Sequence, residues 1–165
     1  MKFKVYVDGS YSTSEPGKVY GAFIGLTDEG KPVNAVRYCS KDAELTAMRN
    51  VGGELMAAEG AIIGMATVIS QQFSKDDIHI VKIYYDYKGI FEFVKPVNPW
   101  TPNKRQTRLY AQVVNRVRND NPNIIFEFVK VKAHTGDKFN EMVDELAKGY
   151  VNPELSDVYF GCFDM

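Results

Sequence analysis

Four acidic residues of this chain are poorly explained as a group by packing or solvation alone. Asp8 ends the alternating, β-rich run Lys2–Val7, and Asp86 ends a second such run. Glu54 opens a helical pattern, and Asp144 lies within the last one. An unpaired buried charge is costly, so a carboxylate at the end of a buried strand suggests a bound cation. Oxygen ligands without a Cys or His cluster favour Mg²⁺ or Mn²⁺ over Zn²⁺.

Each of these acids has an ordinary interpretation when it is taken alone. A single Asp at a strand end is more often a turn or cap residue. Glu54 could simply be a first-turn charge that the helix dipole tolerates, and Asp144 could be a solvated helix position. Three other acids compete for the role of Glu54: Asp42, Glu44 and Glu59. The prediction of a metal site therefore rests on the combination.

Hydrophobic periodicity and turn residues predict the elements that must position these acids. The predicted strands are 2–8, 19–26, 34–40, 79–86 and 124–131, and the predicted helices are 54–73, 107–119 and 139–150. This order predicts an α/β fold with a mixed five-stranded sheet, three antiparallel strands and then two parallel ones, flanked by helices. If the strands that end on Asp8 and Asp86 are parallel neighbours, both carboxylates lie at one edge of the sheet, where open α/β sheets bind ligands.

Composition limits the class of protein. The chain has 165 residues, 45% hydrophobic and 25% charged, which is typical of one globular domain. We expect that domain to span residues 1–150, with a tail at 151–165 that packs on it. The net charge of −1 provides no global attraction for a polyanion, which would have to be bound by a local patch or through metal ions. Two distant cysteines, no signal peptide and no long apolar span predict a cytoplasmic protein with free thiols.

Several sequence motifs occur in order along the chain. They are Tyr6–Ser10 (YVDGS), Gly53–Ala58 (GELMAA), Tyr84–Asp86 (YYD) and the segment Val131–Ala147, which contains HTGD and NEMVDELA. Asp-Gly-Ser alone is a weak signal, whereas a His-Thr-Gly loop followed by Asn-Glu and then by Asp one helical turn later is strong. Together the motifs resemble the type 1 ribonuclease H family over about residues 3–149.

The resemblance implies cleavage of the RNA strand of an RNA–DNA hybrid, with 5′-phosphate and 3′-hydroxyl ends. By position, Asp8, Glu54, Asp86 and Asp144 match the family's metal-binding carboxylates, and His134 matches its loop histidine. We expect two Mg²⁺ ions per site, with Mn²⁺ as an alternative. Asp8 would bridge the two ions, Asp86 and Asp144 would complete the water-activating ion, and Glu54 would complete the leaving-group ion. An imidazole at His134 suits proton transfer or product release.

The resemblance also implies residues that bind the substrate. Gly9, Ser10 and Asn50 would contact the RNA strand near the cut, where the 2′-hydroxyl distinguishes RNA from DNA. Many family members carry a basic, Trp-containing protrusion after the third acid, but the corresponding interval here, 87–106, is short and interrupted by prolines. It still provides basic and aromatic side chains, namely Lys88, Trp100, Lys104 and Arg105. We interpret the interval as a reduced protrusion; the alternative is a solvated loop with Trp100 anchored in the core.

Three functions remain open from the sequence. The first is a metal-dependent endoribonuclease that acts on RNA–DNA hybrids. The second is another polynucleotidyl transferase of the same fold, against which the segment His134–Asp144 argues. The third is a non-catalytic hybrid-binding module, against which the complete carboxylates and the lack of a basic surplus argue. We expect a monomer whose partner is the hybrid, with no obligate protein partner and no membrane contact.

Overall fold

The structure is a computed structural model that describes residues 1–132 and 137–165. Within these residues, one sheet contains the strands β1 (Lys2–Ser10), β2 (Val19–Thr27), β3 (Pro32–Ser40), β4 (His79–Tyr85), β5 (Ile124–Lys130) and β6 (Tyr159–Asp164). The helices are α1 (Ala43–Ala47), α2 (Asn50–Gln72), α3 (Gly89–Glu92), α4 (Arg105–Asp120) and α5 (Lys138–Ala147), with a 3-10 turn at Pro153–Leu155.

The central strand of the sheet is β1, in the spatial order β5-β4-β1-β2-β3-β6. It pairs antiparallel with β2, so that Asp8 lies opposite Ala22, and parallel with β4, so that Tyr6 lies opposite Tyr84. The β2–β3 pair is antiparallel and the β4–β5 pair is parallel. The predicted α/β fold, with three antiparallel strands followed by two parallel ones, is therefore confirmed.

The sheet has one strand more than the five that the sequence predicts. The additional strand, β6, lies in the C-terminal tail and pairs parallel with β3, with Arg37 opposite Cys162. It is short and contains Gly161 at a φ of +115°, a conformation that side chains rarely adopt. Because such a strand has little regular alternation of its own, its β character depends on the neighbouring strand rather than on local pattern.

Separate hydrophobic clusters cover the two faces of the sheet. On one face, Phe3, Val5 and Val7 of β1 belong to the cluster that includes α2 and α4. On the other face, Tyr6 packs in a cluster with Met142, Val143 and other residues of α5. Since successive side chains of a strand point to opposite faces, Asp8 is on the same face as Tyr6 and α5.

The longest helix, α2, begins earlier than the sequence predicts. It starts at Asn50 rather than at Glu54, so the interpretation of Glu54 as a first-turn charge is wrong. By length and composition α2 could cross a membrane, and it is the one helix of the described residues for which this holds. However, 72% of its most apolar 18-residue window is buried within the protein, as expected for a core helix.

Candidate active site

Three of the four predicted acids, Asp8, Asp86 and Asp144, lie close together at the edge of the sheet formed by the C-terminal ends of β1 and β4. Asp86 directly follows β4, and the register that pairs Tyr6 with Tyr84 continues towards Asp8 and Asp86. Asp144, in α5, approaches Asp8 from one face of the sheet. Burial, together with repulsion from Asp144 and Asp86, raises the pKa of Asp8 to about 7, although the hydrogen bond from Gly9 N opposes the shift.

Glu54 reaches the same edge from the opposite face of the sheet. Its side chain accepts hydrogen bonds from Asp86 N at 2.5 Å and from Tyr87 N at 3.0 Å. Only 5% of Glu54 is exposed. Burial raises its pKa to about 8; the two backbone hydrogen bonds oppose this shift and repulsion from Asp8 and Asp86 adds to it. Glu54 therefore fixes the backbone segment that carries Asp86.

Two glycines bring the start of α2 against β1 and β2 and so position Glu54. A Cβ on Gly9 would lie 2.2 Å from Asn50 O and 2.4 Å from Glu54 N, and a Cβ on Gly53 would lie 2.1 Å from Tyr20 O. Only glycine permits so close an approach of two backbones. Gly9, which the sequence predicts as a substrate contact, thus also has a structural role that the sequence analysis did not identify.

We expect Gly9→Ala to reduce the free energy of unfolding by about 2 kcal/mol, because the added methyl group forces α2 away from β1. Urea denaturation measures the effect. Gly17→Ala is the matched control, since nothing lies within 4 Å of a Cβ at Gly17, and its stability should change by less than about 0.5 kcal/mol. Equal stabilities of the two variants would contradict the close contact.

Two lysines lie beside the acids. The Nζ atom of Lys130 is 3.6 Å from Asp86 Oδ1, and that of Lys148 is 3.0 Å from Asp144 Oδ2. Because these pairs are largely exposed, each contributes at most about 1 kcal/mol to stability. Neither pair was predicted from the sequence, although the i,i+4 spacing of Asp144 and Lys148 is a recognisable signal on a helix.

The donor set fits a hard divalent cation in its chemistry. The four acids offer only carboxylate oxygens. The pKa values of Asp8 and Glu54 are raised first by burial and then by repulsion from neighbouring acids, and a cation would relieve that repulsion. Within residues 1–132 and 137–165, no three His, Cys, Asp or Glu side chains lie close enough together to hold a metal ion as they stand.

The acids that compete with Glu54 lie in other environments. Asp42 caps α1, and Glu44 accepts hydrogen bonds at the start of α4 from Arg105 N at 3.2 Å and Gln106 N at 2.5 Å. Glu59 lines a separate cavity of about 240 Å³. Of the candidates for this role, Glu54 is the acid whose pKa responds to both Asp8 and Asp86.

The predicted substrate-binding residues do not form one continuous group. Asn50 is exposed at the start of α2, where it lies against Gly9, and Ser10 ends β1 beside them. Lys88 and Trp100 lie together, with Lys88 Nζ 5.7 Å from the centre of the indole ring. The indole packs edge-on against Phe93, and 40% of Trp100 is exposed, so the alternative that it is anchored in the core is wrong.

The remaining predicted residues begin α4 or lie elsewhere. Lys104 is exposed just before α4. The guanidinium of Arg105 is paired with Asp42 of the α1 segment, so it is engaged within the protein. His134 lies outside the described residues, and its role stays a prediction.

Comparisons with known proteins give one family. The family model for RNase H matches residues 1–152 of the chain. RNase H1 from the halophilic archaeon Halobacterium salinarum NRC-1 is 17% identical, with a TM-score of 0.62 over 95% of this chain and 99% of that chain. The N-terminal RNase H domain of a Mycobacterium tuberculosis protein, solved as a fusion with maltose binding protein, is 13% identical, with a TM-score of 0.63 over 94% and 97%.

A viral structure is also similar. The prototype foamy virus protease-reverse transcriptase is 16% identical, with a TM-score of 0.57 over 91% of this chain and 21% of its own. No curated protein sequence matches the chain. At these identities, the likeness to solved structures concerns the fold alone.

Proposed function

Because the chain belongs to the ribonuclease H family, we propose that it is an endoribonuclease that hydrolyses the RNA strand of RNA–DNA hybrids, leaving 5′-phosphate and 3′-hydroxyl ends. The observation that carries the proposal is the convergence of acids from separate elements on one sheet edge. Asp8 comes from β1, Glu54 from α2, Asp86 from the end of β4 and Asp144 from α5. Acids brought together from such distant parts of the chain are expected at a catalytic site rather than at a solvated surface.

We propose that these four acids hold two divalent ions, Mg²⁺ or Mn²⁺. Such ions, when bound, supply an activated water, neutralise developing phosphoryl charge and stabilise the leaving oxygen. The proximity of Asp8 to both Asp86 and Asp144 supports its proposed role as the shared ligand. Glu54, which approaches from the opposite face of the sheet, would hold the second ion.

The protein's own contribution is to orient these carboxylates. Gly9 N donates a hydrogen bond to Asp8 Oδ1 at 2.9 Å and so limits the rotation of that side chain. The Glu54 carboxylate holds Asp86 N and Tyr87 N, and with them the turn after β4. We propose that His134 moves a proton or assists product release, as an imidazole that titrates near neutral pH can do.

We propose that the substrate lies across the ends of β1 and α2. The exposed side chain of Asn50 and the backbone of Gly9 and Ser10 would contact the RNA strand. The exposed pair of Lys88 and Trp100 would contact the DNA strand through phosphate and ring contacts. Lys104 could reach a phosphate from the start of α4, whereas Arg105 would first have to leave Asp42. The number of available basic contacts is therefore small.

One assay tests this function. The protein is incubated with labelled RNA–DNA hybrid, double-stranded RNA or double-stranded DNA, in Mg²⁺, Mn²⁺ or EDTA. We expect cutting of the RNA strand of the hybrid alone, only with metal, and products whose 3′ ends a polymerase can extend. Cleavage that persists in EDTA would overturn the metal assignment, and hybrid binding without cleavage in either metal would favour the non-catalytic module.

A further inference from the structure

Besides the approach of Asp144 to Asp8, a second contact joins α5 to β1. It is made by Tyr6, two residues before Asp8 in the chain. The hydroxyl of Tyr6 donates a hydrogen bond to Asp137 Oδ2 at 3.1 Å. The other oxygen of Asp137 accepts hydrogen bonds from Phe139 N at 2.9 Å and Asn140 N at 3.2 Å, so that Asp137 is the N-cap of α5. One carboxylate thus ties the start of α5 to the central strand of the sheet.

The donor of this contact is held firmly. Tyr6 is 4% exposed, and its ring stacks on that of Tyr84, with centres 4.5 Å apart and planes inclined by 9°. The ring of Phe139 packs against it at 5.9 Å. The phenol hydroxyl is a hydrogen-bond donor, and its acceptor here is a carboxylate oxygen.

The contact bears on the candidate site through the geometry of α5. Asp137 is the N-cap that precedes α5, and it contacts Tyr6, whereas Asp144, within α5, approaches Asp8. Tyr6 and Asp8 are two residues apart on β1 and therefore share a face of the sheet. Two aspartates of the α5 segment thus meet two residues on one side of β1.

We propose that Tyr6 is a positioning residue which, through Asp137, holds α5 so that Asp144 stays opposite Asp8. The inference rests on the proposed function, which makes that pair of acids part of the metal site. The two carboxylates repel each other, and the tie at the start of α5 resists their separation. The metal-free protein then keeps the two carboxylates close together before a divalent ion binds.

Tyr6→Phe tests the proposal, because it preserves the ring and its stack while it removes the donor. We expect the Kd for Mn²⁺, measured by titration calorimetry, to rise about tenfold, as is typical when a group that orients a metal ligand is lost. In hybrid cleavage, kcat at fixed Mg²⁺ should fall by a similar factor and recover in part at higher Mg²⁺, while KM for the hybrid stays unchanged. Asp137→Asn keeps one oxygen to cap α5, and its amide nitrogen can donate to the Tyr6 hydroxyl, so that the contact survives with its direction reversed and most of the metal affinity should be retained.

Tyr84→Phe is the matched control, since it removes a hydroxyl from the other ring of the same stack. It should leave the Kd and kcat of the wild type unchanged. Amide hydrogen exchange in the metal-free protein reports on the Tyr6–Asp137 hydrogen bond independently of catalysis. The amides of Phe139 and Asn140 should exchange faster in Tyr6→Phe than in the wild type, and at the wild-type rate in Tyr84→Phe. If Tyr6→Phe matched Tyr84→Phe in both Kd and exchange, the proposal would be overturned. A wild-type protein that bound Mn²⁺ but did not cut hybrids would instead refute the proposed function, while the Kd and exchange measurements would still decide the role of Tyr6.

Discussion

Asp8→Asn is expected to slow hybrid cleavage by at least about a thousandfold and to leave the fold intact. Asparagine has the shape of aspartate, and its amide oxygen can still accept the hydrogen bond that Gly9 N donates to Asp8 Oδ1. The substitution therefore removes the negative charge but not the local geometry. Since that charge is proposed to serve both cations, the loss should appear in single-turnover rates at saturating Mg²⁺.

Asp28→Asn is a suitable control for this variant. Asp28 is exposed in the turn between β2 and β3. This turn lies beside the start of β1, where Phe3 pairs with Thr27, and therefore at the opposite end of β1 from Asp8. The Asp28→Asn variant loses the same charge as Asp8→Asn and should cleave the hybrid at the wild-type rate. An Asp8→Asn protein that kept more than about a tenth of the activity would rule out Asp8 as a shared metal ligand.

The parts of the site that lie on regular strands were predictable from the sequence. The alternation that ends at Asp8 and the β-rich run that ends at Asp86 define two strands, and parallel pairing of these strands brings their ends together. Glu54 and Asp144 required more information, because a helix pattern gives the face of a residue but not what that face meets. The order of the family motifs supplied this information, and the repulsion that raises the pKa of Asp8 agrees with it for Asp144 and Asp86.

The features that were not predictable depend on contacts between distant segments. The residue pattern of the C-terminal tail does not predict β6, because that strand forms by pairing with β3. Likewise, glycine is required at position 9 because the backbone of α2 lies against it, and not because the chain turns there. Asp137 is recognisable as a helix cap from sequence, but its second partner, Tyr6, is far away in the chain. Such contacts follow from the assembled sheet and have no local signature.

The metal-free protein is expected to lose several kcal/mol of stability as the pH rises from about 4 to 8. The pKa of Asp8 rises from 3.8 to about 7 on folding, and that of Glu54 rises from 4.5 to about 8. Between the unfolded and folded values, the folded protein binds more protons than the unfolded chain, so its stability falls with increasing pH. Urea denaturation in EDTA at several pH values measures the free energy of unfolding directly.

Variants of the two acids isolate their share of this pH dependence, because other titrating groups cancel in the difference from wild type. Asp8→Asn should be more stable than wild type at pH 8 in EDTA, and both Asp8→Asn and Glu54→Gln should show a flatter pH profile. Glu54→Gln also loses one of the two backbone hydrogen bonds, because its amide nitrogen cannot accept. Added Mg²⁺ should stabilise the wild type most near pH 8, where it no longer competes with protons for these carboxylates, and should stabilise the variants less. Parallel profiles for wild type and both variants would mean that these carboxyls titrate alike in the folded and unfolded chains. In that case, repulsion among buried acids would not be the force that draws a cation to this edge of the sheet.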